Sequence, residues 1–211
     1  METTKKFVVT INCELGSGGR TIGRKLAERL NVKFYDKALV KELTKKFDLS
    51  VDELEKVKAS KRNWWNDFVQ GYLNHYNVEE RFNVESNIAT TENIFRVESK
   101  FLKELAADES CVIAGRSGFY IFRNDPNAFK ILIQSTMEKR IQRVMEKQGL
   151  SEAEAEKVIE KVDKGRERYT QEFSGTSRYD TRNYDLVINV ANLTEDEAVG
   201  IIWEYITKQK K

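Results

Sequence analysis

The first thirty residues constrain the fold more than any other feature. Phe7-Val8-Val9-Thr10-Ile11 is a short β-branched run, the pattern of a strand buried on both faces. It passes through Asn12-Cys13-Glu14-Leu15 into Gly16-Ser17-Gly18-Gly19, and from Thr21 onward the pattern is helical, with Ile22, Leu26 and Leu30 recurring among Arg and Lys. Strand, glycine-rich turn and amphipathic helix, in that order, open a βαβ unit and demand a parallel sheet.

The rest of the chain continues the alternation. Val32–Tyr35 is a brief strand ending at Asp36, and Ala38, Leu39, Leu43 and Phe47 mark a helix. Ser50-Val51-Asp52-Glu53 has the form of a capping box. The stretch 61–85 carries Trp64, Trp65, Phe68, Tyr72, Tyr76 and Phe82. It reads either as an amphipathic helix packed on the body or as a substrate-side subdomain. A helix is expected over Ser86–Ala107. Ser110–Ala114, Phe129–Ile133 and Leu186–Val190 are buried strands, with helices over Met137–Lys147, from Ser151 and from Thr194. Gly165–Arg182 reads as irregular and arginine-rich. Ligands of parallel sheets sit at the carboxyl ends of the strands. Asn12–Thr21, Asp36-Lys37, Gly115-Arg116, Gln134-Ser135 and the loop after Val190 therefore become the candidate positions.

Composition narrows the classes. A length of 211 residues suits one domain with an insertion. Lys and Arg number 36 against 34 Asp and Glu, a net charge of +2 that speaks against a nucleic-acid coat. Cys13 and Cys111 cannot build a disulfide scaffold, and with His75 as the one histidine no Cys/His metal site is expected. There is no apolar run of membrane-spanning length, and Met1–Lys6 lacks the apolar core of a signal peptide. A cytoplasmic protein with no membrane partner is the expectation.

The glycine turn carries the chemistry. Backbone amides at a helix N-terminus, with glycines that let a ligand approach, suit phosphate oxygens. Gly16, Ser17, Gly18, Gly19, Arg20 and Thr21 are the candidate binding residues. The standard pattern, G-x-x-x-x-G-K-[ST], is not met. With Gly18 as its second glycine, Cys13 falls on the first and Gly19 on the lysine, while Arg20 lies one residue late and Thr21 supplies a hydroxyl.

Glu14–Gly23, Phe34-Tyr35-Asp36-Lys37, Cys111–Arg116 and Tyr184–Asn189 together resemble the cytidylate kinase-like family, a branch of the P-loop nucleoside monophosphate kinases. The resemblance implies a three-layer α/β/α P-loop fold in a single domain over 1–211. It also implies a helical, monophosphate-binding type of insertion at 48–100 and a lid at 149–182. It implies transfer of the ATP γ-phosphoryl group to a nucleotide, with CMP a candidate, and use of Mg²⁺. Arg20 would partly replace the missing lysine. Asp36, Lys37 and Arg116 would hold the acceptor, and Arg166 and Arg168 of the lid would neutralise transferred charge. Arg140 and Arg143 stand behind them, with an ordinary charged helix face as the competing reading. Ser117 and Gln134 stand where relatives carry aspartates. Together with the missing lysine, they leave two alternatives: a kinase of another small molecule, or a nucleotide-binding protein without turnover.

Overall fold

The computed structural model describes residues 6–36, 95, 99, 102, 103, 105–115 and 117–209. The expected insertion at 48–100, the aromatic stretch 61–85, Lys37 and Arg116 lie outside these residues, apart from the isolated helical positions 95 and 99. The described elements are β1 (Val8–Cys13), α1 (Gly19–Leu30), β2 (Lys33–Tyr35), β3 (Cys111–Ala114), α2 (Gly118–Ile121), β4 (Ala128–Gln134), α3 (Met137–Gln148), α4 (Glu152–Ser174), β5 (Leu186–Asn189) and α5 (Glu195–Gln209). A 3₁₀ turn at Thr181–Asn183 precedes β5.

The five strands form one parallel sheet in the order β2-β3-β1-β4-β5. β1 is central and its residues are buried on both faces: Val8, Val9, Thr10 and Ile11 are all buried. Its register puts Ile11 opposite Ala114 on one side and Ile131 on the other. Both neighbours run alongside it, so all three carboxyl ends open on the same edge.

Helices cover both faces, giving the three layers the sequence implies. On one face Ile22, Leu26 and Ala27 of α1 meet Ala198, Val199, Ile202 and Ile206 of α5 over Val9, Ile11 and Ile131. Burying each Leu or Ile side chain there contributes about 2 kcal/mol. A second cluster joins Leu15 of the glycine turn to Val144 of α3 and to Ala155 and Ile159 of α4. The turn is thereby packed onto the α3–α4 hairpin.

Helix boundaries follow local chemistry. Gly149 ends α3 in the left-handed region at φ 66°. Ser151 and Glu154 form a reciprocal capping box on α4. Thr194 and Glu197 do the same on α5: Glu197 accepts from the Thr194 amide at 2.8 Å, and its own amide donates to Thr194 Oγ1 at 3.2 Å. The bond from the Thr194 amide, and after it one from Thr194 Oγ1 to the same carboxylate at 2.8 Å, hold the Glu197 carboxyl below its ordinary value of 4.5. A depressed carboxylate pKa contributes stability that is present above 4.5 and lost as pH falls through the folded value. Glu197→Gln is expected to lower the melting temperature at pH 7, with the gap to wild type narrowing as pH falls below 4.5. A gap that is constant across this range would contradict the capping account.

One sequence expectation is corrected. The stretch Gly165–Arg182 is not irregular throughout. α4 continues as a regular helix through Ser174, and Gly175 caps it at φ 64°. A Cβ at Gly165 would meet nothing within 4 Å, so this glycine sits on an open helix face. It weakens helix propensity there without breaking a helix anchored by packing on both sides of it.

Candidate functional site

The glycine turn bridges the end of β1 and the first turn of α1. Gly16 is in the left-handed region at φ 85°, and a Cβ there would lie 2.7 Å from the Arg140 carbonyl oxygen of α3. Gly18 is the N-cap of α1, at φ 80°, and offers no capping side chain. The first amides of a helix have no intrahelical acceptor. Those of Gly19, Arg20 and Thr21 therefore form an uncapped donor cluster carrying the positive end of the helix dipole. Ser17 is buried, and its hydroxyl donates to the Glu14 carbonyl at 2.9 Å. That bond stiffens the turn and does not point at a ligand.

Gly19 packs against Cys13. A Cβ added at Gly19 would lie 2.4 Å from Cys13 Cβ and 2.8 Å from Cys13 Sγ. The position that carries lysine in the standard loop is thus filled from the side by the residue standing at the loop's first glycine. The two departures from the standard pattern are sterically one exchange.

Arg20 turns away from the glycines. Its Nε donates to Asp36 Oδ2 at the end of β2. Asp36 is 7% exposed while the Arg20 side chain is 37% exposed. The structure therefore brings two of the expected site residues together as an ion pair linking α1 to β2. Thr21 is partly exposed in the first turn of α1.

The arginines of α3, α4 and the following loop converge beneath the turn. Arg140 is buried, donates from Nε to the Leu15 carbonyl at 2.8 Å, and pairs with Asp163 through Nη2. Asp163, also buried, accepts from the Leu15 amide at 3.1 Å. Arg166 donates to the Cys13 carbonyl at 3.2 Å and lies 3.6 Å from Asp163. Arg168 is exposed on the outer face of α4, so the two lid arginines expected to act together are separated. Arg143 pairs with Glu195 of α5, and its guanidinium lies 3.0 Å from where a Gly18 Cβ would stand. Burial pushes the Glu195 carboxyl upward, but hydrogen bonds from Arg143 and Lys25 outweigh it and hold the group below 4.5.

Arg178 is the residue that pattern reading missed. It is 1% exposed and donates from Nη2 to the Cys13 carbonyl at 2.5 Å and to Asn12 Oδ1 at 3.3 Å. Its own carbonyl accepts from the Tyr184 hydroxyl at 2.6 Å, and that hydroxyl in turn accepts from Asn12 Nδ2 at 2.6 Å. Burial drives the Tyr184 phenol well above its ordinary range, so it stays a neutral donor. The sequence signal was present in the Arg-rich run before Tyr184, but nothing in its spacing separates Arg178 from Arg182, which is exposed and pairs with Asp180.

A cleft of about 220 Å³ adjoins the turn. Gly16 and Ser17 line one side, Lys139, Gln142 and Arg143 of α3 a second, and Ala191, Leu193 and Glu195 a third. Its lining is mostly polar, and Ile22 of the first turn of α1 also reaches it. Cys111, by contrast, is buried in β3, and burial pushes its thiol up to about 12, which makes it core rather than nucleophile. Among the described residues no helix is long and apolar enough to cross a membrane.

Comparisons with known proteins bear on the family and the fold. Cytidylate kinase from Methanopyrus kandleri is 24% identical over 196 residues, covering 92% of this chain and 90% of that protein. An S-adenosylmethionine-dependent nucleotide dehydratase from Lacinutrix mariniflava is 24% identical over 209 residues; the chain spans only 36% of that protein's length. A solved structure of an uncharacterised protein from Eubacterium ventriosum superposes with a TM-score of 0.70 at 25% identity, covering 95% of this chain and 98% of that one. Shikimate kinase from Acinetobacter baumannii shares the fold, with a TM-score of 0.53 at 15% identity over 98% of this chain and 96% of that one. The sequence pattern of the cytidylate kinase-like family matches residues 8–192, most of the chain, and the protein belongs to that family.

Proposed function

We propose that the protein is an ATP-dependent phosphotransferase acting on a small acceptor, with a nucleoside monophosphate such as CMP the first candidate. The observation that carries this reading is the uncapped N-terminus of α1. The amides of Gly19, Arg20 and Thr21 follow two glycines in the left-handed region and open beside a polar cleft. Phosphate oxygens are well suited to accept from such amides. The cleft between the turn, α3 and the β5–α5 connection would take the donor nucleoside, with Arg143 flanking it.

Phosphoryl transfer asks chiefly for alignment and charge neutralisation. Arg166 supplies charge at the start of the turn, and Arg116 of the β3 strand end would hold the acceptor phosphate. The Asp36–Arg20 pair fixes the neighbouring end of β2 against α1. Mg²⁺ bound to a nucleotide needs no all-protein cage. The hydroxyl of Thr21, partly exposed in the first turn of α1, is the side chain offered to it, and the ion would spread the charge developing on the phosphates.

The test is direct. Saturating ATP at about a hundredfold over its dissociation constant stabilises a folded domain by about 2.7 kcal/mol, so a clear rise in melting temperature is expected. ADP release in the presence of a panel of monophosphates then identifies the acceptor. A thermal shift with no turnover on any monophosphate would favour another acceptor or a non-catalytic nucleotide-binding role. Absence of a shift with every nucleotide would overturn the reading.

A further inference from the structure

We propose that the guanidinium cluster of buried Arg140 and Arg178 and half-buried Arg166, and not Arg20, supplies the positive charge that a lysine brings to the standard phosphate loop. The inference rests on the reading of the turn as a polyphosphate site. Three observations lead to it. A side chain at position 19 is excluded, because its Cβ would overlap Cys13. Arg20 is committed to Asp36 and is 37% exposed, so water screens it. The third is the cluster itself, which grips the main chain at the start of the turn: Arg178 and Arg166 on the Cys13 carbonyl, Arg140 on the Leu15 carbonyl.

The cluster has more donors than acceptors. Arg178 Nη1 is buried without a hydrogen-bond partner, its nearest anionic atom being Asp163 Oδ1 at 3.6 Å. The carboxylates that face the guanidinium groups are Asp163 and Glu14, the latter 3.5 Å from Arg140 Nη1. Within ion-pair distance, three guanidinium groups thus face two carboxylates, an excess of cations confined to that shell. Glu167, the next carboxylate outward, accepts from the Arg178 backbone amide at 3.1 Å and from Gln171, and pairs with none of the three guanidinium groups. In a low-dielectric site such a surplus acts on a nearby anion more strongly than an exposed charge does. Charge and contact are thereby divided: the amides of α1 touch the phosphates, and the cluster beneath holds the potential.

The experiment uses the full chain and inorganic tripolyphosphate, titrated by calorimetry. Arg178→Gln is expected to weaken binding about tenfold, and the deficit to persist at about 0.5 M KCl because buried charge is poorly screened. Arg20→Gln should weaken it less. Glu14→Gln, which removes an opposing charge and keeps an acceptor for the Ser135 amide, is expected to tighten binding about threefold. A purely structural role predicts that both cluster variants weaken binding, so weaker binding in Glu14→Gln overturns the proposal even if Arg178→Gln fails to fold. A larger loss for Arg20→Gln than for Arg178→Gln, or a deficit that vanishes at high salt, overturns it as well. If wild type binds neither tripolyphosphate nor ATP, the phosphate reading of the turn fails first.

Discussion

Replacing Gly19 with lysine is expected to destabilise the protein instead of completing its phosphate loop. The substitution restores the residue type that the standard pattern carries. Yet its Cβ would come within 2.4 Å of Cys13 Cβ, a separation that real side chains do not reach. Gly19 opens α1 over the central strand and is itself buried, so neither partner has free space to retreat into. Overpacking of this kind costs about 1–3 kcal/mol. For a chain of this size that corresponds to a fall of about 3–10 °C in melting temperature. The companion variant Cys13→Gly/Gly19→Lys puts both residues of the standard pattern in place at once and should recover most of the loss. Thermal denaturation of the two variants decides the matter. A Gly19→Lys protein as stable as wild type, or a double variant no better than the single one, would show that the two positions are not coupled.

That coupling also shows what sequence reading can and cannot extract. The parallel sheet was legible because β1, β3, β4 and β5 are short apolar runs separated by helical periodicity, and a buried parallel strand has no other pattern available. The capping boxes at Ser151 and Thr194 were legible because capping is a local interaction between residues three apart. The site was legible only where its chemistry is backbone chemistry, at Gly16–Thr21. Its side-chain part depends on contacts across long sequence separations. Arg178 reaches Cys13, and Asp163 reaches Leu15, and no local spacing encodes either. Likewise Gly165 signalled a break in α4 that tertiary packing overrides. In three dimensions the glycine at position 19 packs against Cys13, a contact that the loop pattern alone does not encode.

The second large effect is expected at Asp163. Its carboxylate is 8% exposed and serves four partners: the Leu15 amide at 3.1 Å, Arg140 Nη2, and the nearby guanidinium groups of Arg166 and Arg178 at 3.6 Å each. Asp163→Ala removes the anion and leaves two buried guanidinium groups, 6% and 1% exposed: Arg140 keeps Glu14 at 3.5 Å, and Arg178 loses its carboxylate. Removing one member of a buried ion pair costs about 3–5 kcal/mol, because the charge left behind remains desolvated. The Leu15 amide loses its acceptor as well, which adds about 1–3 kcal/mol if no water replaces it. Asp163→Asn should be milder, since it keeps an acceptor for that amide while losing the charge. Ranking by denaturant midpoint is therefore expected to run wild type, then Asn, then Ala. The double variant Asp163→Leu/Arg140→Met should be more stable than Asp163→Ala, because replacing a buried pair with apolar side chains of similar volume removes one of the two buried charges that Asp163 faces. A small loss for Asp163→Ala, comparable to that of an exposed pair such as Lys164–Glu160, would mean that water reaches the cluster and that it cannot hold a potential beneath the turn.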